Sequence, residues 1–83
     1  MAADNIVKDA IRDVLKGGSV RRLLEVGFYN PVSSEPLRFI VYSIRALHRR
    51  GRDITPRTIV DYLIDHTTKG TAKAAKEELY SIL

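Results

Sequence analysis

The chain is predicted to be all-α: a compact bundle of about five short helices, orthogonally packed, with no sheet. Three observations predict it. Apolar residues recur at helical spacing, as in Ile6, Val7, Ala10, Ile11, Val14 and Leu15. The periodic stretches are punctuated by glycines and by Ser, Thr and Pro, the residues that end and start helices. The 83 residues, 45% of them hydrophobic, suffice for one domain spanning residues 1–83 with one modest core.

The first helix is capped by Asp4 or Asn5 and stopped by Gly17-Gly18, since left-handed positions after a helix favour glycine. Ser19 restarts the chain as an N-cap. A short second helix places Val20, Leu23 and Leu24 inward and Arg21 and Arg22 outward, and Gly27 ends it. Residues 28–34 read as a loop whose Phe28-Tyr29 pair plugs the core.

Ser34 caps the third helix, with Pro36 tolerated in its first turn. This helix is the longest and is expected to be central. Leu37, Ile40, Val41, Ile44 and Leu47 form its buried stripe, widened by Phe39, Tyr42 and Ala46. Gly51 closes it. Thr55 and Pro56 start the fourth helix, and Ile54 packs on Ile59 as a hydrophobic staple. Ile59, Val60, Leu63 and Ile64 face inward, Asp61 and Asp65 outward. Residues 66–70 connect to a last helix capped by Thr71, with Ala72, Ala75, Leu79, Ile82 and Leu83 on one face. That face runs to Leu83, which predicts either a docked helix end or a fragment of a longer protein.

There is no cysteine, so disulfide and thiolate–metal chemistry are excluded. No apolar run approaches the roughly 20 residues of a membrane span or the roughly 7–15 of a signal peptide. A cytoplasmic protein is expected. Glutamine and tryptophan are absent and methionine occurs only at position 1, a depletion that suggests a thermophilic source.

The net charge of +4 is unevenly placed. Between Arg21 and Arg57 there are eight basic and three acidic residues, net +5; the rest of the chain is net −1. An anionic partner is one explanation, and a solvated helical face is the other. The basic residues are mostly arginine, whose planar fork binds carboxylate or phosphate bidentately. Arg38, Arg45, Arg49 and Arg52 recur at spacings of seven, four and three, which puts them opposite the apolar stripe of the third helix. Arg50 and Arg57 flank the turn that follows. These six residues form the candidate partner-binding or nucleic-acid-binding surface. Tyr29, Lys73 and Lys76 are secondary candidates for nucleic acid, Tyr29 by base stacking.

No enzyme is expected. His48 and His66 lie 18 positions apart, and no zinc-protease, phosphate-loop or serine-elbow motif occurs. Accordingly no cofactor, metal or small-molecule substrate is predicted.

The stretch from Ile6 to Leu63 resembles the amino-terminal domain of DnaB-type replicative helicases. The parts that carry the resemblance follow in order. They are Val7 to Leu15, Val20 to Leu24, Phe28-Tyr29, Arg38-Phe39-Ile40 through Ala46-Leu47, Arg50-Gly51, Ile54, and Thr58-Ile59 with Leu63. The resemblance implies a non-enzymatic all-α module of DNA replication. In such helicases this domain forms a collar of dimers and meets primase or loader proteins. Its implied partners are therefore a helicase, a primase or a second copy of the chain, in an adaptor-like or loader-like role. These 83 residues depart from the family in holding no helicase motor motif and in being more basic than expected of such a collar.

The alternative is a small basic helix–turn–helix protein that binds DNA. Residues 39–83 resemble the three-helix part of a winged-helix domain, with the last helix presenting Thr71, Lys73 and Lys76. No wing follows in the sequence.

Overall fold

The computed structural model describes residues 4–29 and 32–83, with Phe28 and Tyr29 described by backbone alone. Five α-helices follow in order: α1 Asp4–Leu15, α2 Val20–Tyr29, α3 Glu35–Arg49, α4 Pro56–His66 and α5 Lys69–Ile82. Among the described residues there is no strand. The predicted all-helical class is therefore the observed one.

Helix α3 is the hub, packing against all four other helices. Its Leu37, Ile40, Ile44 and Leu47 are buried together with Val7, Ile11 and Val14 of α1, Leu23 of α2, Ile59 and Leu63 of α4, and Ala72, Ala75, Leu79 and Ile82 of α5. Ser43 also lies in this core. Its hydroxyl donates to the Phe39 carbonyl at 2.7 Å, so a polar group is buried at little cost.

The helix ends follow from local chemistry. Past α1, Gly17 adopts φ +94°, its N–H donates to Val14 O at 3.0 Å, and the Gly18 N–H donates to Asp13 O at 2.8 Å. The end of α3 repeats this pattern. Gly51 has φ +65°, its N–H donates to His48 O at 3.1 Å, and the Arg52 N–H donates to Leu47 O at 2.9 Å. Both are Schellman motifs, which satisfy orphan carbonyls by passing the chain through a left-handed residue. At the start of α4, Thr55 Oγ1 accepts from the Thr58 N–H at 3.1 Å, and Thr58 Oγ1 accepts from the Thr55 N–H at 2.9 Å. Ser34 caps α3 as predicted, accepting from the Leu37 N–H at 3.3 Å.

Several expectations need correction. Helix α2 does not end at Gly27 but runs to Tyr29. A helical glycine costs about 1 kcal/mol relative to alanine, and packing against α3 overrides it. A Cβ at Gly27 would already meet Val41 Cγ1 at 3.4 Å. The predicted core plug by the Phe28 and Tyr29 side chains lies outside the described residues. Helix α5 is capped by Thr68, not Thr71: Thr68 Oγ1 accepts from the Thr71 N–H at 3.2 Å, and the two hydroxyls are 3.0 Å apart. The α4–α5 connector thus shrinks to Thr67 and Thr68.

Asp4 lies within the first turn of α1 rather than ahead of it, and its carboxylate reaches across to the segment that leads into α3. It accepts from the Ser33 N–H and the Ser33 hydroxyl, both at 3.0 Å. Ile6, Tyr42, Ile64 and Leu83, all read as inward-facing, are exposed. Each sits at the rim of a stripe wider than the surface its helix has to pack on.

Helices α1 and α5 are also joined. Arg12 Nε donates to the Ile82 carbonyl at 2.9 Å, and Lys8 pairs with Glu78 at 3.4 Å.

Two outcomes are expected. Gly51→Ala forces a side chain into left-handed backbone and lowers unfolding free energy by about 1–2 kcal/mol in urea titrations. The Ser33 N–H, chiefly, and the Ser33 hydroxyl hold the Asp4 carboxyl below its ordinary 3.8, outweighing desolvation, which acts the other way. The stabilisation is present above pH 3.8 and is lost as pH falls through the lowered value. Thermal melts should therefore show Asp4→Asn less stable than the parent at neutral pH, with the difference closing in acid.

Candidate functional site

Residues of a helix follow one another at about 100°, so positions 38, 42, 45 and 49 fall within an arc of about 60°. On α3 these are Arg38, Tyr42, Arg45 and Arg49, all exposed and all opposite the buried Leu37, Ile40, Ile44 and Leu47. Tyr42 was expected at the edge of the core. It is instead 57% exposed, standing between Arg38 and Arg45 in an aromatic-and-arginine strip. Its ring makes a T-shaped contact with that of Phe39, with 6.4 Å between centroids.

Beside the strip runs a groove between α2 and α3. Leu24, Gly27 and Val41 supply its apolar part, and Arg21, Glu25, Tyr42 and Arg45 its polar and aromatic rim. Arg21 and Glu25 pair loosely across one turn of α2, at 3.8 Å, with both side chains largely in solvent. Such a pair is worth little. The other ion pairs among the described residues are Lys8–Glu78 and Arg12–Asp9. None of them involves Arg38, Arg45, Arg49, Arg50, Arg52 or Arg57, so among the described residues these six guanidiniums form no ion pair.

The six predicted arginines do not form one surface. The Schellman turn after α3 sends Arg50 and Arg52 toward α4. There they line a small recess with Leu47, Thr58, Asp61, Tyr62, Asp65 and His66. Arg50 Cζ sits 5.4 Å from the Tyr62 ring centroid, a cation–π distance. The His66 ring stacks on Tyr62 at 4.0 Å and 11°, held by Nδ1 at 3.0 Å from the Tyr62 carbonyl. Arg52 therefore leaves the α3 strip to which its spacing assigned it. Arg57 is exposed in the first turn of α4 and shares neither recess nor groove.

The secondary candidates are separate again. Lys73 and Lys76 are exposed on α5 and line a different groove with α4. The Tyr29 side chain lies outside the described residues. Thr71, offered as a DNA reader, is half-buried and committed to the start of α5. Among the described residues no three His, Cys, Asp or Glu side chains come together to hold a metal. No helix among the described residues is long and apolar enough to cross a membrane.

Sequence reasoning missed Tyr42 and the Tyr62–His66 stack. The first was legible from its position three before Arg45 and four after Arg38. The second was legible only as an i,i+4 aromatic pair, a spacing that permits contact without requiring it.

Comparison with known proteins found no matching family model, no matching curated protein and no matching solved structure.

Removal of Arg50 should register at Tyr62. A double-mutant cycle of Arg50→Ala and Tyr62→Leu, read by urea unfolding, is expected to give a coupling of about 0.5–1 kcal/mol.

Proposed function

We propose that this chain is a non-enzymatic, cytoplasmic interaction module of DNA replication, an adaptor or loader-like protein that docks a replicative helicase or primase. The observation that carries the reading is the strip Arg38–Tyr42–Arg45–Arg49 beside the α2–α3 groove. Tyrosine and arginine are enriched among the residues that dominate protein–protein binding energy. An exposed tyrosine flanked by unpaired arginines therefore suits a protein surface of mixed apolar and acidic character. Leu24, Gly27 and Val41 would receive an apolar side chain of the partner. Arg38, Arg45 and Arg49 would fork onto its carboxylates, giving register and attraction.

The replication context rests on the resemblance of residues 6–63 to the DnaB-type amino-terminal domain. The order of helices, the glycine turn at Gly51 and the start of α4 at Thr55 are in keeping with it. The passage of α2 through Gly27 departs from the expected early stop. That resemblance also makes a second copy of the chain a partner to be tested.

A second reading, phosphate-backbone binding to DNA, is favoured by one observation: six arginines make no ion pair among the described residues. Contacts of this kind bind all sequences alike and are strongly salt-dependent.

The readings separate experimentally. If a replication protein is the partner, helicase or primase is recovered in pull-downs. Tyr42→Ala and Arg45→Ala then each weaken the complex by about 2 kcal/mol, roughly 30-fold by calorimetry, and melting temperature barely moves, as for other surface changes. If DNA is the partner, fluorescence anisotropy shows binding that Arg49→Ala and Arg52→Ala weaken for every sequence, with a shallower salt slope. A strict monomer by light scattering, with no helicase or primase recovered, sinks the adaptor reading.

A further inference from the structure

A second surface, which shares no lining residue with the α2–α3 groove, has different chemistry. On α5, Lys69, Lys73 and Lys76 recur at i, i+4 and i+7, which puts them on one side of the helix. The core stripe Ala72, Ala75, Leu79 and Ile82 occupies another. On α4 the buried pair is Ile59 and Leu63, and the next positions round the helix are Val60 and Ile64. Val60 is half-buried, whereas Ile64 is 61% exposed, the most exposed large apolar side chain among the described residues. Val60, Ile64 and Ala72 form the apolar part of a groove between α4 and α5, and the three lysines form its rim. None of these lysines makes an ion pair among the described residues, although Asp65 and Glu77 are neighbours in the chain.

An exposed isoleucine over an apolar groove costs solvation free energy, and three unpaired ammonium groups along its edge leave a uniform positive rim. A partner that covers the apolar part and supplies carboxylates to the rim satisfies both. The dimensions select among occupants. Lys69 to Lys76 spans seven residues, or about 10 Å at 1.5 Å per residue, two turns of a helix. A bilayer meets only what protrudes, whereas Ala72 is buried at the bottom of the groove. An inserted row of side chains reaches it.

We propose that the α4–α5 groove docks an acidic amphipathic helix of a partner protein. Such a helix presents bulky apolar residues at i, i+3 or i+4, and i+7, flanked by Asp or Glu. Helix-in-groove recognition uses this anchor spacing. The groove shares no lining residue with the α2–α3 groove, so the two surfaces can act independently.

The test uses the whole chain, isotope-labelled, titrated with a synthetic 18-residue helix that has leucines on one face and glutamates on its flanks. A scrambled peptide of the same composition serves as control. Amide shifts are expected between residues 60 and 76, and the scramble should bind at least about tenfold more weakly. Ile64→Ser, exposed and shown folded by circular dichroism, should lose about tenfold or more in affinity, as expected for an apolar anchor. Lys73→Glu with Lys76→Glu should switch preference to a lysine-flanked version of the peptide. Equal binding of the scramble overturns the proposal, as do shifts confined to residues 38–57 or charge reversals without effect. It is also overturned if phosphatidylserine vesicles displace the peptide, making lipid the occupant. Concentration-dependent self-association abolished by Ile64→Ser overturns it in favour of a second copy.

Discussion

Helix α3 has to serve four neighbours at once, and the rest of the structure is arranged around that demand. Leu37, Ile40, Ile44 and Leu47 lie within one arc of the helix and are almost fully withdrawn from water. Removing apolar surface from water is worth about 25 cal/mol per Å², and the buried apolar residues among those described form this one core. With one arc committed, the opposite arc is what the molecule can show to others. Arg38, Tyr42, Arg45 and Arg49 occupy it. The candidate strip is the reverse side of the central packing element, so the backbone beneath it is fixed by the core. A partner meeting it loses little freedom in ordering the backbone beneath.

The ends of the helices are treated with the same economy of means. Two Schellman turns, a reciprocal threonine pair and single-residue caps at Ser34 and Thr68 satisfy end groups that would otherwise be orphaned. The turn at Gly51 also partitions the arginines. By reversing the chain it leaves Arg49 on α3 and hands Arg50 and Arg52 to the Tyr62–His66 stack. One basic segment of sequence thereby becomes two sites of different character: an open strip, and a recess that mixes guanidinium, carboxylate and aromatic groups.

Much of this was legible in the sequence. The periodicity of apolar residues located all five helices, and Gly51, Thr55 and Ser34 marked their boundaries because those residues act through local chemistry. What escaped depends on contacts between elements. Gly27 looks like a stop until Val41 is placed against it. Thr68 and Thr71 are equally good caps by composition, and backbone geometry picks the first. Ile6, Ile64 and Leu83 belong to apolar stripes by period, yet the neighbouring helices are too narrow to cover them. For the candidate site, the arginines were found by spacing within one helix. Their division, and the place of Tyr42 among them, required the path of the chain after the helix ends.

The bond from Arg12 to the carbonyl of Ile82 joins residues 70 positions apart. It gives an orphan carbonyl at the end of α5 a charged donor and clasps the first helix to the last. The α4–α5 hairpin, by contrast, assembles from chain neighbours across a two-residue link. Ordering so long an intervening chain costs entropy that neighbouring contacts do not. The clasp is therefore the natural last step of assembly and the first place to open. Opening there would uncover Ile82 at the end of α5, while the packing of α3 against α2 and α4 involves other residues. Hydrogen exchange would see this as a low-energy excursion confined to one edge of the bundle, with the α3 strip still presented in its folded form.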